Sequence, residues 1–349
     1  MLAKKVGVLT FHKCVNYGSY WQARCLVEGL RARGFHAELL DHDCACVRRA
    51  EVKCALQPKL PDRTPRTDLP NYARKVRRFV RSIARLPQSA RFSLHRPQDA
   101  PGYDAIVVGS DEVWNFRHPW YGSKPIFFGD GLKADRLVSY AASFGNHSAL
   151  DGIHPDWARK LHHFAAISVR DENSLHLASS ATGREVELTL DPCLLFAPAI
   201  ESGRGDYAVV YGHGFPKWLA AMARRWTDRS RVRLISVGYS NDWSDEQLID
   251  AGPMEFARLM AGADAVITNF FHGCVFALLN GKPWATVPSD YRSIKIPDLA
   301  AMLGVGDRVI GEQTTEAELN ELLASPAGAA QRLEEHRARS EAYIDAALS

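Results

Sequence analysis

A strand, a polar turn and a helix are predicted in succession in one segment, Ala265-Val-Ile-Thr-Asn-Phe-Phe-His-Gly-Cys-Val-Phe-Ala-Leu-Leu-Asn-Gly-Lys-Pro283. Its apolar run ends at Thr268-Asn269, and helical spacing begins near Gly273, with His272 at the junction. Ligands of parallel α/β sheets bind beyond the carboxyl ends of the strands. His272 is therefore a candidate general acid or phosphate ligand, and a structural hydrogen-bonding role is the competing interpretation.

The rest of the chain repeats this alternation of apolar runs and helical spacing, which is typical of α/β proteins. Strands are predicted at residues 6–11, 36–41, 103–109, 137–143, 165–170, 186–190, 207–211, 231–237, 265–268 and 284–287. Helices are predicted at residues 22–33, 218–227, 254–261, 273–279 and 316–348. A stretch rich in Gly, Pro and small residues, 197–205, separates two groups of strands. We expect domains at 1–198 and 206–312, and a helical segment at 315–349 that packs back on the first.

Composition excludes several classes of protein. The 349 residues include 43 Lys+Arg and 40 Asp+Glu, a formal net charge of +3, and 46% are hydrophobic. That mix excludes disorder and gives no general reason to expect nucleic acid as a partner. No run approaches the roughly 18 apolar residues of a membrane span, and the first residues lack the pattern of a secretory signal. A cytoplasmic location is the simplest expectation.

One stretch departs from this balance, since residues 72–96 carry eight Lys/Arg and no acidic residue. Val76, Phe79, Val80 and Ile83 recur at helical spacing, so a basic amphipathic helix is predicted. Residues 74–85 could hold the protein peripherally at an anionic membrane surface. We favour the alternative, a surface helix docked by its apolar side.

The cysteines and one acidic triplet raise the question of metal ligands. Cys44, Cys46 and Cys54 lie near His42, but the second half of a zinc motif is missing. Reduced thiols are the simpler expectation. Asp41-His42-Asp43 could hold a divalent ion, yet such short matches are common. We therefore predict no metal.

Polar residues follow several predicted strands. Asn16, Tyr17 and Gly18 lie between the first strand and its helix, although the dinucleotide motif G-x-G-x-x-G is absent. Gly109-Ser110-Asp111 ends another strand, where Asp111 is suited either to deprotonating an alcohol or to capping a helix. Arg170 offers a planar fork for a carboxylate or phosphate, or for a neighbouring acid. Arg292 and Lys295 place two cations on one loop.

Taken in order, these segments resemble the polysaccharide pyruvyl transferase family. The resemblance rests on an ordered series of motifs: Thr10-Phe-His-Lys, Asn16-Tyr-Gly-Ser, Gln22-Ala, Gly109-Ser-Asp-Glu-Val-Trp-Asn, Tyr140-Ala-Ala-Ser-Phe-Gly, Ile167-Ser-Val-Arg-Asp-Glu, Asp191-Pro-Cys-Leu-Leu, Thr268-Asn-Phe-Phe-His-Gly, Lys282-Pro and Tyr291-Arg-Ser-Ile-Lys. It implies a GT-B-like fold, in which two Rossmann-like parallel-sheet domains face each other across a cleft. It also implies transfer of a pyruvyl group from phosphoenolpyruvate to two hydroxyls of a polysaccharide sugar or its lipid-linked precursor, with release of phosphate and no cofactor.

The resemblance suggests roles for individual residues. His272 would be the general acid and Asp111 the base that accepts the proton of the sugar hydroxyl. The expected substrate-binding residues are Arg170, Lys295, Arg292, Asn16, Tyr17, Gly18, Ser110, Asn269 and Gly273. Phe270 departs from the pattern, because family members often carry Arg at that position. Two other functions stay open: a nucleotide-sugar glycosyltransferase, and a non-catalytic scaffold in an envelope-polysaccharide complex.

Overall fold

A computed structural model describes residues 3–201, 203, 205–288 and 294–349. The strands are β1 Lys5–Leu9, β2 His36–Leu39, β3 His42–Asp43, β4 Phe92–Ser93, β5 Tyr103–Val108, β6 Ala134–Ser139, β7 Ser168–Val169, β8 Glu187–Leu188, β9 Tyr207–Tyr211, β10 Arg233–Val237, β11 Glu246–Leu248, β12 Ala265–Thr268 and β13 Trp284–Thr286. The helices are α1 Tyr17–Ala32, α2 Ala45–Leu56, α3 Leu69–Ile83, α4 Pro155–Leu161, α5 Glu172–Thr182, α6 Pro192–Leu195, α7 Lys217–Ser230, α8 Pro253–Gly262, α9 Phe271–Leu279, α10 Lys295–Leu303, α11 Glu316–Ala324 and α12 Ala330–Leu348.

Two parallel sheets form the framework. The first has the order β2-β1-β5-β6, and the second has the order β11-β10-β9-β12-β13. An isolated bridge between Val138 and Ala166 brings the chain before β7 alongside β6. In each sheet the connections run in both directions from a central strand, which creates the switch point where such sheets bind ligands. The predicted α/β, GT-B-like architecture of two Rossmann-like sheets is confirmed.

Two predicted helices differ from the structure by more than a few residues. Helix α1 begins at Tyr17 and not at residue 22, because the Asn16 side chain accepts a hydrogen bond from Ser19 N at 3.2 Å and caps it. The predicted final helix is two helices, and Pro326 lies in the connection between α11 and α12. Proline lacks the N–H that a continuous helix needs.

Helix α12 packs on the first sheet and its helices. Tyr343 donates a hydrogen bond to Ser139 O at 2.7 Å, and Leu190 N donates to Ser340 Oγ at 2.9 Å. Arg136 reaches Ala347 O at 2.7 Å. The chain therefore crosses from the first sheet to the second, through the predicted break at 197–205, and returns at its end.

The two sheets also share a continuous apolar core. Tyr17 is fully buried, stacks on Phe256 at 4.2 Å between centroids, and donates to Ala251 O at 2.6 Å. Trp21 donates to Pro253 O at 3.1 Å. The first turns of α1 are thus fixed to α8, which belongs to the second sheet.

Helix α3 docks by one face, and that face differs from the predicted one. Its buried residues are Tyr72, Lys75, Phe79 and Ile83, whereas Val80 is 57% exposed. Salt bridges from Arg74 and Arg78 to Asp250 and Glu255 tie α3 to the start of α8. Membrane association through this helix stays a prediction. Within the described residues, no helix combines the length and apolarity that a membrane span requires.

Candidate active site

A cavity of about 240 Å³ opens between the carboxyl edges of the two sheets. It collects side chains that follow β1 and β5 of the first sheet, β7 beside that sheet, and β12 of the second sheet. Five of the predicted site residues line it: Asn16, Asp111, Arg170, His272 and Lys295. Sequence reasoning placed these residues at separate strand ends, and the fold brings them to one space.

Asp111 lies at the first-sheet side of the cavity. Its Oδ2 accepts a hydrogen bond from Ser19 Oγ at 2.7 Å, and its Oδ1 faces Arg170 Nη2 at 3.2 Å. The Asp111 backbone has a φ of 76°, a left-handed conformation that is uncommon outside glycine. The carboxylate is therefore held by both its backbone and its partners, and it projects from the strand end towards α1.

Arg170 lies between two carboxylates and contacts both of them. The residue is 3% exposed, and its Nη1 faces Asp191 Oδ2 at 3.1 Å while Nη2 is taken by Asp111. The guanidinium also lies over the Phe271 ring at 4.8 Å. Both terminal nitrogens thus have protein partners, so Arg170 is already neutralised before any ligand is considered.

His272 meets the same carboxylate from the second sheet. It is 8% exposed, and its Nε2 lies 3.4 Å from Asp191 Oδ2. Burial favours a raised pKa for Asp191, but His272 and then Arg170 hold the pKa of that carboxyl well below its usual range. Asp191 also accepts Cys193 N at 3.0 Å and caps α6. This ionised side chain faces the imidazole ring where the two sheets meet.

Gly18 shapes the other side of His272. A Cβ atom at Gly18 would lie 2.1 Å from His272 Nδ1, so only glycine allows the first turn of α1 to approach the ring this closely. The imidazole is therefore clamped between Asp191 and the backbone of α1.

Glu112 and Lys295 form a second buried pair on the cavity wall. Lys295 Nζ contacts Glu112 Oε1, and Asn115 Nδ2 donates to Glu112 Oε2 at 2.7 Å. Burial acts to raise the pKa of Glu112, yet the nearby Lys295 ammonium lowers it to about 2. Lys295 is thus paired with a carboxylate that is ionised at neutral pH.

The remaining predicted site residues that the structure describes have packing contacts and do not line the cavity. Tyr17 packs against α8 and Gly18 packs against His272, as described above. Ser110 is fully buried and donates to Ala141 O at 2.9 Å. Asn269 donates to His213 O at 2.7 Å, and a Cβ at Gly273 would lie 2.0 Å from Thr268 Oγ1. Direct ligand contact stays a prediction for these residues, and Arg292 lies outside the described residues.

Sequence reasoning missed two buried ionisable residues that line the cavity. Glu51 of α2 accepts hydrogen bonds from Trp120 Nε1 at 2.7 Å and from Cys14 Sγ at 3.0 Å. Burial raises the pKa of Glu51. The other is Lys75 of α3. Both are on helices whose sequence shows no motif, and only the tertiary fold brings them to the site.

Two groups of described side chains bring three possible metal ligands together. Asp191, Cys193 and His272 form one group, but the Arg170 guanidinium already occupies Asp191, and burial raises the pKa of the Cys193 thiol far above its usual value. A protonated thiol beside a cation does not favour a metal ion.

Cys44, Cys46 and His95 form the other group. Cys44 and Cys46 are joined as a disulfide, so the expectation of reduced thiols at these two positions is wrong. A disulfide offers no thiolate ligand. Asp41 of the predicted acidic triplet is paired with Lys13 and Arg91.

A model of the polysaccharide pyruvyl transferase family matches residues 16–291, more than half of the chain. The chain belongs to the polysaccharide pyruvyl transferase family. That match includes Asn16, Asp111, Arg170 and His272, which line the cavity, and Asp191, which contacts Arg170 and His272. A search of curated protein sequences finds no significant match.

Solved structures with similar chain traces are remote in sequence. They include a glycotransferase of kitacinnamycin, with a TM-score of 0.49, 12% identity, and coverage of 99% of this chain and 100% of that one. The calicheamicin glycosyltransferase CalG4 has a TM-score of 0.46 and 15% identity over 100% and 99% of the two chains. UDP-GlcNAc 2-epimerase from Methanocaldococcus jannaschii has a TM-score of 0.49 and 9% identity over 97% and 99%. These identities are too low to indicate a shared activity.

Proposed function

We propose that this protein transfers the pyruvyl group of phosphoenolpyruvate to two hydroxyls of a sugar, forming a cyclic ketal and releasing phosphate. We propose as acceptor a sugar of a polysaccharide or of its lipid-linked precursor. Family membership supports the reaction class. The structural observation that supports it most is the clamped His272, which faces a buried carboxylate of the other sheet across the cavity edge.

The chemistry requires one proton to be given and two to be taken. Protonation of the donor's methylene carbon makes the neighbouring carbon electrophilic, and a sugar hydroxyl attacks it. After the carbon–oxygen bond to phosphate breaks, the second hydroxyl closes the ketal. Of the two hydroxyl protons, one balances the proton given to carbon and the other leaves with phosphate.

Buried side chains offer groups for these steps. His272 is the proposed general acid, because it is a buried imidazole that lines the cavity and lies 3.4 Å from the Asp191 carboxylate. Asp111 is the proposed base for the attacking hydroxyl, and its hydrogen bond from Ser19 holds it at the cavity. Arg170 and Lys295 are proposed to bind the donor, although each already has a carboxylate partner.

The decisive assay is release of phosphate from phosphoenolpyruvate with a panel of acceptor sugars. We expect release with at least one acceptor, and we expect His272→Asn to abolish it while the donor still binds. His176→Asn is the matched control, because His176 is an exposed residue of α5 and lies outside the cavity. No release with any acceptor, together with no binding of the donor, would contradict the proposed reaction. Tight binding of a nucleotide diphosphate in its place would favour the glycosyltransferase alternative.

A further inference from the structure

Lys75 of α3 is a buried cation in the cavity wall. The residue is 2% exposed, and its Nζ donates a hydrogen bond to Gly238 O at 2.8 Å. The ammonium group lies 4.1 Å from the centre of the Tyr239 ring and 4.8 Å from that of Tyr17. An ammonium carries three N–H donors, and only one of them is used by this backbone carbonyl.

The charge of Lys75 sets it apart from the other cations of the cavity. Arg170 and Lys295 have carboxylate partners, whereas among the described residues no carboxylate oxygen lies within 4.0 Å of Lys75 Nζ. An unpaired buried charge is unfavourable, and burial lowers the pKa of Lys75 to about 7. The folded chain therefore keeps an energetically costly group at a place where a ligand can reach it.

The charges around His272 indicate a function for the Lys75 ammonium group. Among the described residues, three carboxylates and two cations form this network: Asp111, Glu112, Asp191, Arg170 and Lys295. His272 adds one positive charge in the protonated form that a general acid requires. These charges balance one another and leave little net attraction for a ligand with two anionic groups. A further cation in the wall would strengthen that attraction.

Lys75 is close enough to the reacting region to supply that charge. Its Tyr239 neighbour contacts the Phe270 ring at 5.2 Å between centroids, and Phe270 stands two residues before His272. Tyr17, its other aromatic neighbour, precedes Gly18, which abuts the His272 ring. Two short aromatic bridges therefore connect Lys75 with the proposed acid.

We propose that Lys75 binds an oxyanion of the donor, a carboxylate or a phosphate, and so adds a positive charge to those of the carboxylate-paired Arg170 and Lys295. The identity of the donor rests on the proposed function, whereas the anion-binding role rests on the geometry of Lys75. Burial of this cation without a carboxylate partner lowers the stability of the fold, and the bound anion would be that partner.

This proposal predicts a pH dependence of binding. The groups that face Lys75 are the Cys54 thiol of α2 and the phenols of Tyr17 and Tyr239, while Asp250 and Glu255 beside α8 are engaged by Arg74 and Arg78. None of the three facing groups is anionic at neutral pH. Above pH 7 the free lysine increasingly loses its proton, so anion affinity should fall about tenfold per pH unit. Lys75→Arg, which stays charged, should remove that dependence.

The test measures binding of three probes by calorimetry: phosphoenolpyruvate, inorganic phosphate and pyruvate. Lys75→Met should weaken phosphoenolpyruvate binding by about 10- to 100-fold, the loss expected for a charged hydrogen bond. The phosphate and pyruvate arms show which oxyanion Lys75 takes, because only that arm should weaken. Arg81→Met is the control, since Arg81 is an exposed cation of the same helix.

Thermal unfolding of the same variants separates binding from structural support. If Lys75 serves ligand binding and does not stabilise the fold, Lys75→Met removes an unpaired buried charge. The variant should then melt at the same temperature as the wild type or higher. A marked fall in melting temperature with unchanged donor affinity would overturn the proposal and assign Lys75 a bracing role. Should Lys75→Met fail to fold, a lack of pH dependence in wild-type binding between pH 7 and 9 would overturn it equally.

The outcomes also distinguish this proposal from the proposed function. Unchanged phosphoenolpyruvate affinity in Lys75→Met refutes the role of Lys75 and leaves the reaction intact. Wild-type protein that binds phosphate or pyruvate through Lys75 but not phosphoenolpyruvate refutes the donor and supports the anion site. Wild-type protein that binds none of the three refutes both.

Discussion

Replacing Gly18 with alanine tests whether the His272 ring must stay pressed against helix α1. The new Cβ would lie 2.1 Å from His272 Nδ1, while ordinary contacts begin at 3.4 Å, so the ring or the helix must move by about 1.3 Å. Helix α1 cannot easily give way, because Tyr17 and Trp21 bond it to the backbone before and at the start of α8. The imidazole is therefore the part that shifts.

The expected effect follows from that shift. A misplacement of about 1 Å at a reacting group costs on the order of 100-fold in rate, and we expect this loss of phosphate release in Gly18→Ala. Alanine favours a helix over glycine by about 0.5–1 kcal/mol, but overpacking costs about 1–3 kcal/mol, so the melting temperature should fall slightly.

Gly29→Ala is the matched control in the same helix. Its Cβ would lie 2.3 Å from the Phe196 ring, so the crowding is similar, but Phe196 does not line the cavity. We expect lower stability and nearly unchanged turnover per folded molecule. Wild-type turnover in Gly18→Ala would refute the idea that a clamped His272 is the acid. An equal loss of turnover in both variants would show that the effect is a general one on folding.

Three further changes test the buried charges by urea unfolding. The pKa of Asp191 is depressed in the fold, so its stabilisation is present above the unfolded value near 4 and is lost as the pH falls. Asp191→Asn should therefore cost about 3 kcal/mol at pH 7, and the difference from wild type should shrink at pH 3; a constant difference would contradict the assignment. Glu112→Gln leaves Lys295 without its carboxylate and should lower the free energy of unfolding by about 3 kcal/mol at pH 7. The difference between variant and wild type should disappear as the pH falls from 4.5 towards 2. Arg308 donates hydrogen bonds to three backbone carbonyls at the end of α11. Arg308→Met should therefore lower the free energy of unfolding by about 3 kcal/mol. An unchanged value would mean that water replaces those hydrogen bonds.

The sequence was sufficient to predict the framework and the strand-end residues. Strands β9 and β12 have the predicted limits, because a continuous apolar run that is buried on both faces gives a clear pattern. That Asp111, Arg170 and His272 line one cavity could be expected for a related reason, because each lies in the loop or the first helical turn after such a run. Parallel strands place their carboxyl ends at one edge of their own sheet, and packing of the sheets through a shared core brings these edges together.

What the sequence did not show depends on contacts between distant segments. Lys75 entered the sequence analysis only as one of the eight basic residues of 72–96, since helical spacing alone does not distinguish it from the exposed arginines around it. Asp191 was assigned to a motif but given no role, because its partners Arg170 and His272 come from two different sheets. The start of α1 was misplaced because Gly18 disfavours a helix in isolation and is required there by the His272 ring.

The return of α12 to the first sheet limits how the cleft can open. Because the chain crosses between the two lobes twice, once near residues 197–205 and once before α12, two covalent connections restrain their relative movement. The shared apolar core and the bonds of Tyr17 and Trp21 to the chain before and at the start of α8 add non-covalent restraints beside the cavity. The contact between His272 and Asp191 therefore spans a junction that is restrained on both sides.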